Sequence, residues 1–338
     1  MNVLLSTSTA WNCGDDWIRE GLLNVLDLHD SVGQIWHNRG WGVAETFANS
    51  PHINLPLADY IIMAGTPEWV ARNEVLLRHA LRYDKPIAFL GVGRTGGYLR
   101  SQHEDLMRRV ADSGLVEISI ARDDIAKELL EGNFGIETSV LCDPAIFLTP
   151  VGKGGKTFVL GYRGWGSMEE GGTCTYRPRQ TGPAARTDNF FRDAWAGAKG
   201  PKIATVHDNR EAEAAIGFYG KRKVRYFSDP ARMLKVYGDA RDYVGSRIHG
   251  FVGAVVHGAS AHLIYHTDKA ACAKIIIERL GLEGSAAVTF LQGEKQALPA
   301  LNLEAPGIDR VQARIGEEAA EFRGLCLSAP KLSELMKR

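Results

Sequence analysis

No charge of either sign dominates this chain. Lys and Arg together number 40, Asp and Glu together number 40, and the formal net charge over 338 residues is zero. Without a global basic field there is no general grip on nucleic acid or on an anionic membrane surface. Local basic clusters such as Lys221-Arg222-Lys223 with Arg225 read as a solvated face. Cysteine is also sparse. Cys13, Cys142, Cys174, Cys272 and Cys326 are scattered, odd in number and form no Cys-x-x-Cys pair. That spacing indicates neither a zinc knuckle nor a disulfide framework, and fits reduced thiols in a cytoplasm. No apolar stretch reaches about 18 residues, so no integral membrane segment is expected. Met1 to Thr7 reads as a short strand without the basic start of a signal peptide. No Gly-x-Ser-x-Gly elbow is present, which disfavours serine hydrolysis.

What is present is ordinary for a soluble globular protein. Hydrophobic residues make up 45% and charged residues 24% of the chain. The length exceeds what one core usually organises and suggests two domains. Val3 to Leu5, Tyr60 to Met63, Pro86 to Gly91 and Val116 to Ile120 read as buried strands. Helical periodicity separates them over Asp15 to Leu28, Glu68 to Tyr83, Gln102 to Ser113 and Asp124 to Gly132, the last closed by Gly132. The pattern resumes with strands at Thr157 to Gly161, Pro201 to Val206, Lys223 to Phe227, Tyr243 to Gly245 and His262 to Tyr265. Asp229-Pro230 is a helix start, with Asp as N-cap and Pro at the first helical position. Continuous apolar strands between amphipathic helices argue parallel sheets covered on both faces. The expected fold is α/β, two Rossmann-like doubly wound domains facing a cleft, a glycosyltransferase-B-like layout. The boundaries fall at 1–150 for the N-terminal domain (acceptor side), 151–305 for the C-terminal domain (donor side) and 306–338 for a helical segment packing back on the N-terminal domain. Arg163 to Arg186, rich in Gly, Thr, Pro and Arg, reads as a long mobile loop, either a lid or a plain insertion.

In such sheets ligands gather at the carboxyl ends of strands. The richest of these ends is Val244-Gly245-Ser246-Arg247-Ile248-His249-Gly250. A strand ends in a Gly-Ser turn, Ser246 is placed to cap the helix that follows, and Arg247 and His249 fall in its first turn. A helix N-terminus favours anions. Arg247 adds a donor fork matched to phosphate or carboxylate, and His249 a group that moves protons near neutral pH. The plain alternative is a surface Arg ion pair and a capping His. Gly91-Val92-Gly93-Arg94 is a fragment of a nucleotide loop that lacks the full dinucleotide pattern, although its backbone could line a phosphate pocket beside Arg94. Val151 to Thr157 imitates a phosphate-binding loop, but Pro150 stands at its first glycine and a strand follows it. His249 and His257 lie about two helical turns apart and do not share one ion easily, so the histidines read as core or surface residues and no metal site is expected.

Arg247-Ile248-His249-Gly250 with Ala254, Tyr265 and Lys269 resembles the C-terminal signature of the polysaccharide pyruvyl transferase family. Asn12-Cys13-Gly14-Asp15, after the first strand, resembles that family's Asn-x-Gly-Asp element. Ser119-Ile120-Ala121-Arg122 and Asp143-Pro144-Ala145 resemble two further segments, in the same order. There are departures: the usual glycine loop reads Ala64-Gly65-Thr66-Pro67, and the Tyr-Asp-x-Lys region reads Tyr265-His266-Thr267-Asp268-Lys269.

The resemblance implies the same two-lobed fold and transfer of pyruvate from phosphoenolpyruvate to sugar hydroxyls as a ketal, in cell-surface or exopolysaccharide synthesis. The expected partners are phosphoenolpyruvate and a saccharide or lipid-linked saccharide acceptor. No cofactor is expected, because phosphoenolpyruvate is a donor substrate, and the chemistry requires no metal. His249 is the expected proton-transfer group and Asp15 the candidate for acceptor contact and hydroxyl deprotonation, with helix capping as its plain role. Arg247, Lys269 and Arg122 are expected around the donor's anionic groups, an ion pair with Asp123 or Asp124 being the alternative for Arg122. Asn12, Gly14, Gly65, Arg94 and Tyr265 complete the expected binding residues. Two other functions stay open: a two-lobed nucleotide-sugar glycosyltransferase, and a degenerate member that binds a saccharide without catalysis. The acceptor sugar and the oligomeric state are not legible.

Overall fold

A computed structural model describes residues 2–7, 13–28, 34–38, 57–65, 74–93, 101–152, 155–163, 166–168, 174–176, 182–207, 211–265, 270–290 and 303–337. The chain divides into two compact units. The first comprises Met1–Ala10, Asp15–Thr149 and Ile315–Arg338, the second Trp11–Gly14 and Pro150–Arg314.

The first unit is built on a six-stranded parallel sheet of β1 (Asn2–Ser6), β2 (Gln34–Asn38), β3 (Tyr60–Gly65), β4 (Ile87–Val92), β5 (Val116–Ala121) and β6 (Ser139–Val140). Their order across the sheet is β2-β1-β3-β4-β5-β6. Every residue of β3 and β4 is buried. This is why they are continuous apolar runs rather than alternating ones: helices cover both faces of the sheet. Those helices are α1 (Cys13–Leu26), α2 (Glu74–Tyr83), α3 (Ser101–Asp112) and α4 (Asp124–Phe134). Their apolar stripes, Leu76, Leu77, Leu106, Val110, Leu129 and Leu130, pack on Ile61, Met63 and Phe89 of the sheet.

Asp123 caps α4 by accepting from the Ala126 N–H at 2.8 Å. The helix runs past Gly132, where the sequence suggests its end. It closes at Gly135, which takes the left-handed conformation (φ 66°) and donates to Glu131 O. Gly132 is exposed and costs an interior helix only about 1 kcal/mol. Gly135 supplies the backbone conformation that stops the helix.

The second unit repeats the design. Its sheet runs β11-β10-β7-β12-β13-β14, all parallel, from β7 (Thr157–Gly161), β10 (Lys202–Thr205), β11 (Val224–Arg225), β12 (Ala240–Gly245), β13 (Ser260–Tyr265) and β14 (Ala286–Phe290). Its helices are α5 (Gly182–Gly197), α6 (Ala212–Tyr219), α7 (Pro230–Gly238), α8 (Ile248–Val256) and α9 (Ala271–Leu280). Asp229 caps α7 as its sequence predicts, accepting from Ala231 N and Arg232 N. The fold is thus α/β with two doubly wound parallel sheets in tandem. The expected structureless stretch at Arg163 to Arg186 is corrected in part. Strands β8 (Gly166–Met168) and β9 (Cys174–Tyr176) pair antiparallel within it, and α5 begins at Gly182. Short polar strands and a helix opening on Gly-Pro carry little hydrophobic periodicity to announce them.

Helix α10 (Ile308–Ser328) is followed by α11 (Pro330–Met336). From Ile315 onward these residues belong to the first unit. Glu318 accepts from the Cys142 N–H at 2.7 Å, Phe322 meets Phe147 edge-on at 5.3 Å, and Arg323 donates to Val25 O. No described helix is long and apolar enough to cross a membrane.

Two of the family-like segments meet inside the first unit. Arg122 Nη1 lies 2.5 Å from Asp143 Oδ2, and both side chains are fully buried. Arg122 thus has a carboxylate partner 21 residues away, besides the neighbouring Asp123 and Asp124 that the sequence offers. Pro144 is wedged between two glycines. A Cβ on Gly21 would stand 1.9 Å from Pro144 O, and one on Gly91 2.2 Å from Pro144 Cδ. Gly21→Ala improves helix propensity yet is expected to destabilise the protein by about 1–3 kcal/mol, because the obstacle is backbone. A lowered denaturant midpoint at unchanged slope checks it.

Candidate active site

Strands β10, β7 and β12 finish level with one another: Thr205 and Gly245 both pair with Gly161. The residues that follow, His207, Tyr162 and Arg247, leave the same carboxyl edge of the second sheet. Helix α8 begins there. Its N-cap is Arg247, in extended conformation (φ −104°, ψ 114°) with no side-chain cap bond. The expected capping by Ser246 is corrected. Ser246 N donates to Gly161 O at 3.0 Å, which extends the β12–β7 ladder by one residue and delays the helix by one. His249 is in the first helical turn as expected, and Arg247 stands just before it.

The Arg247 backbone is pinned from below. Its carbonyl accepts from Phe251 N and from the Tyr243 hydroxyl, both at 2.9 Å. That hydroxyl occupies a cradle of glycines: a Cβ on Gly161, Gly245 or Gly250 would stand 2.1, 2.4 or 2.5 Å from it. The three glycines admit the phenol that fixes the helix entry. Burial raises the Tyr243 pKa, so it remains a neutral donor.

The Arg247 side chain pairs with Glu211, Nη2 to Oε1. Glu211 is 1% exposed and Arg247 18%. Glu211 precedes α6 but makes no capping bond with its side chain. His207 lies in the same cluster. It is buried, its Nε2 is 2.7 Å from the Tyr237 hydroxyl, and that hydroxyl is 3.0 Å from Thr205 Oγ1. Burial, then the positive charge of Arg247 and of His249, pushes the His207 pKa well below its ordinary value, so His207 is neutral at neutral pH.

His249 is 7% exposed and its ring lies on the start of α1: a Cβ on Gly14 would stand 1.9 Å from His249 Nδ1. The N-terminal and C-terminal family-like motifs, 235 residues apart in sequence, therefore touch at Gly14 and His249. Asp15, the next residue, is buried within the first turn of α1. The helix already starts at Cys13, so Asp15 is not its N-cap.

Tyr265 ends β13 and is buried. Its hydroxyl accepts from Arg163 Nη1 at 2.7 Å, and the Arg163 guanidinium lies 5.6 Å from the ring centroid. Gly65 ends β3 with φ 99°, a conformation open to glycine, and its carbonyl accepts from Gly93 N at 2.8 Å. Arg122 is held in the first unit by Asp143. Asn12, Arg94 and Lys269 lie outside the described residues. His257 is a core histidine: Nδ1 bonds Gly253 O at 2.7 Å, and Nε2 accepts from Val151 N at 3.0 Å.

Sequence reading misses Glu211, His207, Tyr237 and Tyr243. For His207 a signal exists, a His-Asp pair directly after a predicted strand. The others depend on pairings the sequence does not reveal.

The family model described as polysaccharide pyruvyl transferase matches residues 12–268. A search of curated protein sequences returns no match. Several solved structures are similar. S. aureus MnaA with UDP is 11% identical, with 97% of this chain and 91% of that one covered, at a TM-score of 0.49. The UDP-GlcNAc 2-epimerase from Neisseria meningitidis bound to UDP-GlcNAc is 11% identical over 100% of both chains, at 0.48. Arabidopsis thaliana UGT89C1 complexed with UDP is 10% identical over 99% and 98%, at 0.47.

Proposed function

The chain belongs to the polysaccharide pyruvyl transferase family, whose model it matches over residues 12–268, and we propose that it transfers pyruvate from phosphoenolpyruvate to two hydroxyls of a saccharide as a cyclic ketal. The observation that carries this reading is the Arg247–His249 helix entry, with its charge-paired Glu211 and its contact to Gly14. Phosphoenolpyruvate brings a phosphate and a carboxylate. Arg247 at a helix N-terminus is suited to hold one of them. The reaction begins with a proton delivered to the methylene carbon, which leaves an oxocarbenium-like centre at the adjacent carbon. One acceptor hydroxyl adds there and loses its proton. Phosphate then departs with the C–O bond electrons, and the second hydroxyl closes the ring and loses its own proton. One proton ends on the new methyl group and one on phosphate. Donor, acceptor, ketal and phosphate therefore balance without an oxidant or reductant.

In this scheme His249 delivers the first proton, a role that its position two residues from Arg247 supports. Asp15, one residue beyond Gly14, takes the acceptor proton. Lys269 neutralises donor charge, and Asn12, Arg94 and Tyr265 contribute to binding. His207, neutral and hydrogen-bonded to Tyr237, adds no charge to the cluster. The acceptor is a saccharide, free or lipid-linked, in exopolysaccharide or cell-surface synthesis.

The test is calorimetric titration with phosphoenolpyruvate and, separately, with nucleotide-sugars, followed by turnover with a saccharide acceptor. Saturable phosphoenolpyruvate binding is expected. His249→Ala retains that binding and lowers turnover by about 10²–10⁴-fold. Nucleotide-sugar binding with no response to phosphoenolpyruvate overturns the proposal in favour of glycosyl transfer.

A further inference from the structure

One face of the second sheet carries buried Ser260 and His262 and half-buried Asp242 in line with aliphatic and aromatic residues. Register places Asp242 beside Ser260 and Phe158, and Val244 beside His262 and Leu160. Side chains alternate along a strand, so these residues share one face with Ile264. Phe158, Leu160, Val244 and Ile264 pack there against Phe191 and Ala194 of α5. Toward the amino ends of β12 and β13 the same face carries Ser260 and His262, both buried, and the half-buried Asp242. A cavity of about 560 Å³ opens over them, between α5 and Leu303. It lies along the amino half of these strands, whereas Arg247 and His249 follow the carboxyl end.

The polar groups at this cavity are only partly satisfied by the protein. Ser260 donates to Asp242 Oδ1 at 2.8 Å, and Arg241 Nε lies 2.6 Å from Oδ2. A carboxylate has about four acceptor sites, so Asp242 retains capacity. His262 Nε2 shares a hydrogen bond with Thr289 Oγ1 at 2.7 Å, while its buried Nδ1 has no partner among the described residues. Burial lowers the His262 pKa to about 4, so the ring is neutral and is no anion clamp.

The lining identifies the class of occupant. Charges of both signs sit at the rim, Asp193 with Asp242 against Lys199 with Arg241, so no strongly charged ligand is selected. The walls include the rings of Phe158 and Phe190, and Phe190 meets the His262 ring edge-on at 6.4 Å. Carboxylate, hydroxyl and imidazole groups beside aromatic faces match a pyranose, which has apolar C–H faces and a girdle of hydroxyls. The volume is in the range of small-molecule sites. We propose that this cavity is a binding site for a neutral saccharide ring, separate from the Arg247–His249 cluster. The proposal concerns binding alone and does not depend on the transfer chemistry.

Saturation-transfer NMR on the intact protein tests it, with the methyl glycosides of glucose, galactose and mannose, and with maltose and lactose, as probes. At least one probe is expected to bind. His262→Phe, which replaces the imidazole with a larger apolar ring, abolishes the signal, and Arg247→Ala/Glu211→Gln, in which no charge is stranded at the other site, leaves it unchanged. Asp193→Ala and Lys199→Ala, both at exposed positions, weaken binding by roughly tenfold, as loss of a hydrogen bond to a charged group does. These two variants keep the test decisive if the Phe variant does not fold. The proposal is overturned if no probe binds, if binding survives His262→Phe, if the rim variants bind as wild type does, or if Arg247→Ala/Glu211→Gln removes binding.

Discussion

Arg247→Ala is expected to abolish the proposed phosphoenolpyruvate binding and also to destabilise the fold, and the two effects separate in a second variant. The separation follows from Glu211, which is 1% exposed and paired to Arg247. Removing the guanidinium leaves a buried carboxylate without its counter-charge. Breaking a buried pair from one side costs about 3–5 kcal/mol, and the partial exposure of Arg247 (18%) puts this case near the lower figure. A loss of that size lowers the thermal midpoint by about 6–12 °C in a domain of this size. Adding Glu211→Gln removes the stranded charge, so Arg247→Ala/Glu211→Gln recovers most of the stability. It does not recover donor binding, and kcat/KM stays lower by about 10²–10³-fold, the usual cost of an anion-stabilising donor. A double variant that regains activity together with stability shows that Arg247 serves the fold and not the donor.

The same pair marks the limit of what the sequence discloses. Strands β3 and β4 are legible because a parallel strand covered on both faces must be apolar along its whole length. The Asp229-Pro230 helix start is legible because cap and proline act within two residues. Both signals are local. Strand β2, at Gln34–Asn38, is not read, because Gln-Ile-Trp-His-Asn has neither alternation nor a continuous apolar run. The closing glycine of α4 is misplaced by three residues, because two glycines compete and only the backbone conformation decides between them. At the site, Arg247 and His249 are found because strand, turn and helix follow one another in sequence. Glu211 stands 36 residues from Arg247, and His207 30 residues from Tyr237. Such pairs form only when separate strands finish level, and no local pattern encodes that. Arg122 and Asp143 are a milder case. Both stand out in the sequence, and only the fold joins them as one buried pair.

Gly14→Ala inactivates the enzyme through His249, although an alanine in a helix is ordinarily favourable. Glycine costs a helix interior about 1 kcal/mol relative to alanine, so on propensity alone the substitution stabilises α1. Geometry opposes it. The added methyl would stand 1.9 Å from His249 Nδ1 and 2.3 Å from Cγ. Real contacts at Cβ do not approach that closely, so the imidazole must turn aside. On the proposed chemistry a ring that has left its position no longer delivers a proton at the donor carbon, and turnover is expected to fall by about 10²–10⁴-fold, as expected for His249→Ala. Donor binding changes little, because Arg247 is held independently by Glu211 and by the Tyr243 hydroxyl. The decisive comparison is Gly14→Ala/His249→Ala. Two residues that act through one contact are not additive. The double variant should turn over no more slowly than His249→Ala alone, and should be more stable than Gly14→Ala, since no ring remains to be displaced. Additive losses in turnover would mean that Gly14 serves the reaction by another route, such as its own backbone N–H or the placement of Asp15. Wild-type turnover in Gly14→Ala would mean that the position of His249 against α1 has no part in the chemistry.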